Sequence, residues 1–120
     1  MTEDPIKQIL EELLNNPDIH ACMIARQNMI TIIPDTNNFN PEIHKQWDII
    51  KNTINDTFQV IKNYSTKGLT QITLTINQYQ IIFDILPETE NALVTITPKN
   101  NTKQIHEITQ NAKQKIQKQM

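Results

Sequence analysis

Glycine is almost missing from this chain: of 120 residues, Gly68 is the only one. Phosphate-cradling loops need glycine because their backbone must approach the ligand closely, so P-loop and dinucleotide-binding fingerprints are excluded. Cysteine is as scarce. Cys22 stands alone without an internal disulfide partner, which fits a reducing, cytoplasmic setting. Arginine occurs once, as Arg26 beside a turn, a poor position for an arginine finger. Lys and Arg total 11 against 13 Asp and Glu, net −2, with no basic block, so nucleic acid is not an expected partner. No apolar run approaches the roughly 20 residues that cross a bilayer, and the start Met1-Thr2-Glu3-Asp4 lacks the basic region of an export signal. No membrane span is expected.

What remains is a soluble globular composition, 38% hydrophobic and rich in isoleucine and asparagine, at a length that suits one domain with one real core. Its organising stretch runs from Asn40 to Tyr64. On a helix turning about 100° per residue, Trp47, Ile50, Ile54, Phe58 and Ile61 fall within about 60° of Ile43 and form one apolar face. Ile49 and Val60 lie off that face, with Thr53, Gln46 and Thr57 between. Lys45, Asp48, Lys51, Asn52, Asn55, Gln59 and Lys62 complete the cylinder. A semi-apolar arc this wide suits a helix that touches its own core and something else.

Along the chain, Asp4-Pro5 reads as a cap followed by proline at the first helical position. Ile6, Ile9, Leu10, Leu13 and Leu14 then repeat at helical spacing until Asn15-Asn16-Pro17. Residues 19–25 and 29–33 read as strands joined by a hairpin through Gln27-Asn28, apolar on both faces and hence covered on both. Asn40-Pro41 repeats the cap-plus-proline signal, and Gly68 supplies a left-handed or close-approach position after the long helix. Residues 69–77 alternate, with Ile72, Leu74 and Ile76 opposite Gln71, Thr73 and Thr75. Residues 79–86 follow through Asn77-Gln78, with Tyr79, Ile81, Phe83 and Ile85 sharing a face. A turn over 87–91 leads to the last strand, 92–97. Asn101 or Thr102 caps a final helix striped by Ile105, Ile108, Ala112 and Ile116, whose Lys/Gln-rich end is expected to fray. Residues 1–18 hold five acids and one lysine, net −4, whereas residues 99–120 hold five lysines and one glutamate, net +4. That complementarity favours both terminal helices on one side of the sheet, although exposed pairs are worth only about 0–1 kcal/mol each.

Chemical candidates are few. His20 and Cys22 share a strand face, but two ligands without a second pair at zinc spacing read as structural residues, and no metal or cofactor is expected. His44 and His106 read as solvated. No Ser/His/Asp or Cys/His arrangement is discernible, so no enzymatic activity is expected. Asp84, the one acid in a strand apolar on both faces, reads as solvent-facing near a sheet end, because a lone buried carboxylate is costly. Trp47 on the apolar stripe reads as core rather than as a binding hot spot.

The element order is helix, two strands, long helix, three strands, helix. It resembles the roadblock domain of the dynein light chain family, a profilin-like fold, over nearly the whole of residues 1–120. The resemblance rests on Ile6–Leu14 leading into Ile19–Ala25, the hairpin to Ile33, the long helix, Gly68-Leu69, and the strand containing Ala92-Leu93-Val94. The chain departs from the common pattern where it has Asp18 in place of a glycine before the first strand, and Gln27-Asn28 in place of an Asp-Gly-like turn. The implied architecture is a single α+β domain with a five-stranded antiparallel sheet, the long helix on one face and the terminal helices on the other. The resemblance further implies a homodimer, or a dimer with a related roadblock-like subunit. Its third strands would pair beside Gln71, Thr73 and Thr75, and its long helices would pack through Ile49, Thr53, Thr57 and Val60. It also implies a non-enzymatic regulator or scaffold of a small Ras-like GTPase, met by Asp48, Lys51, Asn52 and Asn55. The alternatives are a PAS-like small-molecule sensor and a small structural subunit of a trafficking or secretion assembly.

Overall fold

The computed structural model describes residues 5–26, 29–86, 91–99 and 102–119. The cap at Asp4, the Gln27-Asn28 turn, most of the 87–91 turn and the cap at Asn101 lie outside them.

Helix α1, Pro5–Leu14, leads into strand β1, Ala21–Arg26, and strand β2, Met29–Ile32. After a 3-10 turn, Thr36–Asn38, come helices α2, Pro41–Lys45, and α3, Trp47–Tyr64. Strands β3, Gln71–Ile76, β4, Tyr79–Ile85, and β5, Asn91–Pro98, precede helix α4, Thr102–Lys118. The strands form one antiparallel sheet in the order β2-β1-β5-β4-β3, which leaves β2 and β3 as edges. The fold is mixed α+β.

Each face of the sheet is covered over β1, β4 and β5, whose residues are buried at both parities, whereas β3 alternates and leaves one side exposed. One face joins Ala21 and Met23 of β1, Ile81 and Phe83 of β4 and Val94 and Ile96 of β5 to Ile43 of α2 and to Ile50, Ile54, Phe58 and Ile61 of α3. Phe58 meets Phe83 edge to face at 6.3 Å. The other face joins Cys22, Ile24, Ile82 and Leu93 to Leu10 and Leu13 of α1 and to Ile105, Ala112 and Ile116 of α4. Each fully buried Ile, Leu or Phe contributes about 1.5–3 kcal/mol, far more than an exposed ion pair. The terminal helices do share one side of the sheet, and no ion pair joins them among the described residues. Apolar packing holds them there.

Three expectations are corrected. The stretch from Asn40 to Tyr64 is two helices, because Gln46 leaves helical geometry (φ −103°, ψ 16°) and its amide bonds the Ile43 carbonyl at 3.1 Å. Tyr79 Oη donates to Gln46 Oε1 at 3.1 Å and ties this break to β4. The amide of Ile50 still bonds the Gln46 carbonyl, so the apolar stripe runs through and both Ile43 and Ile50 are buried. The Lys/Gln-rich end of α4 is helical to Lys118, held by fully buried Ile116. Asp84 is not solvated but buried, 1% exposed, and accepts two side-chain amide hydrogen bonds.

The turn chemistry follows the sequence. Asn40 caps α2 by accepting from the Glu42 amide at 2.9 Å. Gly68 ends the helical segment at φ +94°, and open space surrounds the position of its missing Cβ, so backbone conformation rather than crowding calls for glycine. Asn77 adopts φ +51° in the β3–β4 hairpin, a conformation asparagine tolerates well.

Candidate functional site

Helix α3 presents three sectors. Ile50, Ile54, Phe58 and Ile61 face the sheet. On one flank Ile49, Val60 and Tyr64 are 69%, 45% and 52% exposed, aligned at spacings of eleven and four residues on an arc shared with half-buried Thr53. Thr57, placed on this flank from the sequence, is buried at 9% exposure and belongs to the core side. Thr53 and Thr57 donate their hydroxyls to the carbonyls of Ile49 and Thr53, at 3.0 and 2.8 Å, so neither hydroxyl needs an outside acceptor. Tyr64 extends the stripe by one turn. In the sequence Tyr64 marks only the end of the helix, although its spacing of four from Val60 aligns it with the stripe. Lys67 Nζ lies 5.8 Å from its ring centroid.

Edge strand β3 is the second unfinished surface. Gln71, Thr73 and Thr75 are exposed, and Ile72, Leu74 and Ile76 are only half-buried although they pack against the α3-side core. Among the described residues β4 is its one strand neighbour, so the outer edge of β3 is open to another strand.

The opposite flank of α3 is polar. Asp48 is exposed and pairs with Lys51 at 3.4 Å, Asn52 is exposed, and half-buried Asn55 has its Oδ1 buried with no hydrogen-bond partner among the described residues. Arg26 is exposed at the end of β1, paired in register with Met29 and Asn91 and away from this helix face. Trp47 is half-buried and meets Phe39 edge to face at 5.5 Å. A groove of about 290 Å³ lies between α1 and α4, lined by Ile9, Leu13, Ile108 and Ala112 with Glu12 and Lys115 among its polar residues.

His20 and Cys22 are individually accommodated. Cys22 Sγ donates to the Leu10 carbonyl at 3.2 Å, and burial pushes its thiol far above the usual range. His20 Nδ1 lies 3.4 Å from Asn40 Nδ2, and desolvation lowers its pKa while Asp18 partly offsets the effect. His44 and His106 are exposed. Among the described residues no group of three or more His, Cys, Asp or Glu side chains converges as a metal site, and no helix is long and apolar enough to cross a membrane.

No family model and no curated protein sequence matches the chain. Solved structures do. The Roadblock/LC7 domain from Streptomyces avermitilis superposes with a TM-score of 0.70 at 5% identity, covering 96% of this chain and 97% of that one. MglB of Myxococcus xanthus gives 0.64 at 10% identity, covering 94% and 92%. The gliding protein MglB of Thermus thermophilus gives 0.65 at 10% identity, covering 99% and 93%. At such identities the likeness is one of fold, extending over nearly the full length of these three chains: this chain folds as a roadblock domain.

Proposed function

We propose that residues 1–120 form a single roadblock-like domain that acts as a non-enzymatic, cytoplasmic, dimeric regulator or scaffold of a small Ras-like GTPase. The observation that carries this reading is the pairing of an exposed Ile49/Val60/Tyr64 stripe on α3 with the free, half-buried edge strand β3. An apolar helix stripe and an unpaired strand edge on one small domain are what a second copy, or a related roadblock-like subunit, would cover. Two-fold pairing would set β3 against β3 beside Gln71, Thr73 and Thr75, and α3 against α3 through Ile49, Thr53, Val60 and Tyr64.

The resulting platform would present the polar flank of each α3 to the GTPase. Asp48 and Lys51 would exchange their surface ion pair for contacts to the switch region, and Asn52 and Asn55 would supply neutral hydrogen-bonding groups. Regulation would come from positioning, since the sole arginine lies at a sheet end. A sensor would need space between the sheet and α3, where Ile54, Phe58 and Phe83 pack without exposure above 1%.

Pull-down of the host's Ras-like GTPases in both nucleotide states tests the reading. Binding that prefers one state and weakens when Asp48 and Lys51 are both replaced by alanine supports it. Absence of binding in either state, with a small metabolite raising the melting temperature, would transfer the assignment to the sensor class.

A further inference from the structure

The face of the sheet opposite α3 holds a buried acid that the proposed seam leaves unexplained. Asp84 of β4 is 1% exposed, and its Oδ1 accepts from Gln71 Nε2 of β3 at 2.8 Å and from Gln110 Nε2 of α4 at 3.1 Å. Its Oδ2 is buried and has no hydrogen-bond partner among the described residues. A single oxygen therefore satisfies donors from two elements, an edge strand and the C-terminal helix.

The chemistry makes those two contacts interdependent. A buried carboxylate is tolerated only as far as donors stabilise it, and hydrogen bonds to a charged group are the strong ones. With Oδ2 unsatisfied among the described residues, a single amide leaves the carboxylate under-compensated, so loss of Gln110 favours its turning away from the buried position and takes the acceptor from Gln71. The geometry gives that dependence a direction across the molecule. Among the described residues strand β3 pairs with β4 alone, and on this face Thr73 and Thr75 are exposed, so Gln71 joins the edge strand through Asp84 to the helical layer.

We infer that the Gln110–Asp84–Gln71 bridge couples the docking of α4 to the alignment of the β3 edge, making α4 a control element for self-association. This rests on the reading of β3 as the seam between two copies. A contact that lifts α4 from the sheet withdraws Gln110, loosens Gln71 and weakens the seam; seam formation, by linkage, tightens α4 in return.

The test combines amide hydrogen exchange with sedimentation for the full chain, for Gln110→Leu and for Asp84→Leu/Gln110→Leu. In Gln110→Leu, exchange of the β3 amides bonded to β4 should rise about five- to tenfold while β1 is unchanged, and the dimer should dissociate at concentrations higher by a similar factor. The double variant removes the charge together with its donor, so its melting temperature should recover while β3 exchange stays fast, because Gln71 has lost its acceptor. Wild-type β3 exchange in Gln110→Leu overturns the coupling. So does a double variant in which β3 exchange returns to the wild-type rate along with the melting temperature. If the wild type is monomeric throughout, the seam fails, and β3 exchange still decides whether the bridge aligns the edge.

Discussion

His20 and Cys22 lie two residues apart, and their surroundings set them different tasks. The Cys22 thiol is fully buried, donates to the Leu10 carbonyl and is held far above its ordinary pKa by desolvation, so it has no thiolate character. Iodoacetamide should leave it unmodified in the folded protein and modify it fully in guanidinium, as read by intact mass; rapid native labelling would contradict its placement. His20 is half-buried, and desolvation, with Asp18 opposing, lowers its pKa from the ordinary 6.5. The unfolded chain then takes up the proton first. The stability linked to His20 is complete above about pH 6.5 and is lost as pH falls through that value toward the lower folded one. Between about pH 7.5 and about pH 5.5 the wild type should therefore lose more melting temperature than His20→Gln, and equal losses would show that His20 does not titrate as placed.

At the scale of elements, the positions with distinctive backbone chemistry can be tested singly. Gly68 holds φ +94° with nothing near its missing Cβ, so Gly68→Ala should cost about 1–2 kcal/mol from backbone strain alone, measured by urea unfolding with an unchanged m-value. A neutral or stabilising result would mean that the turn relaxes to negative φ. The same locality explains what is legible ahead of the structure. Gly68, the Asn40-Pro41 cap and the alternation of β3 are signals carried by neighbouring residues, and each is found in place. The break at Gln46 leaves no such mark, because the spacing from Ile43 to Ile50 continues the apolar stripe through it, and the Tyr79 hydroxyl that holds Gln46 lies 33 residues away. The burial of Asp84 escapes the sequence for the same reason: its donors are 13 and 26 residues distant, on elements whose approach no local pattern encodes.

At the scale of the whole molecule, two apolar layers close on the sheet, and one flank of α3 stays exposed beside the half-buried edge strand β3, with β2 as the other edge of the sheet. Ile49 and Val60 lie off the core stripe in sequence, and both are exposed in the fold. Thr57 groups with them in sequence because angular position alone does not resolve which residues at the border of an arc turn inward. Val60 is 45% exposed and makes no part of either core, so Val60→Glu should leave the monomer folded, within about 0.5 kcal/mol of wild-type stability, while placing a charge in the proposed seam. Sedimentation velocity of the wild type and Val60→Glu at tens of micromolar is the most direct measurement. The wild type should sediment at twice 14.0 kDa and Val60→Glu at 14.0 kDa with an unchanged circular dichroism spectrum. A wild type that stays at 14.0 kDa at every concentration, or a Val60→Glu variant that remains a dimer, would contradict assembly through α3 and β3.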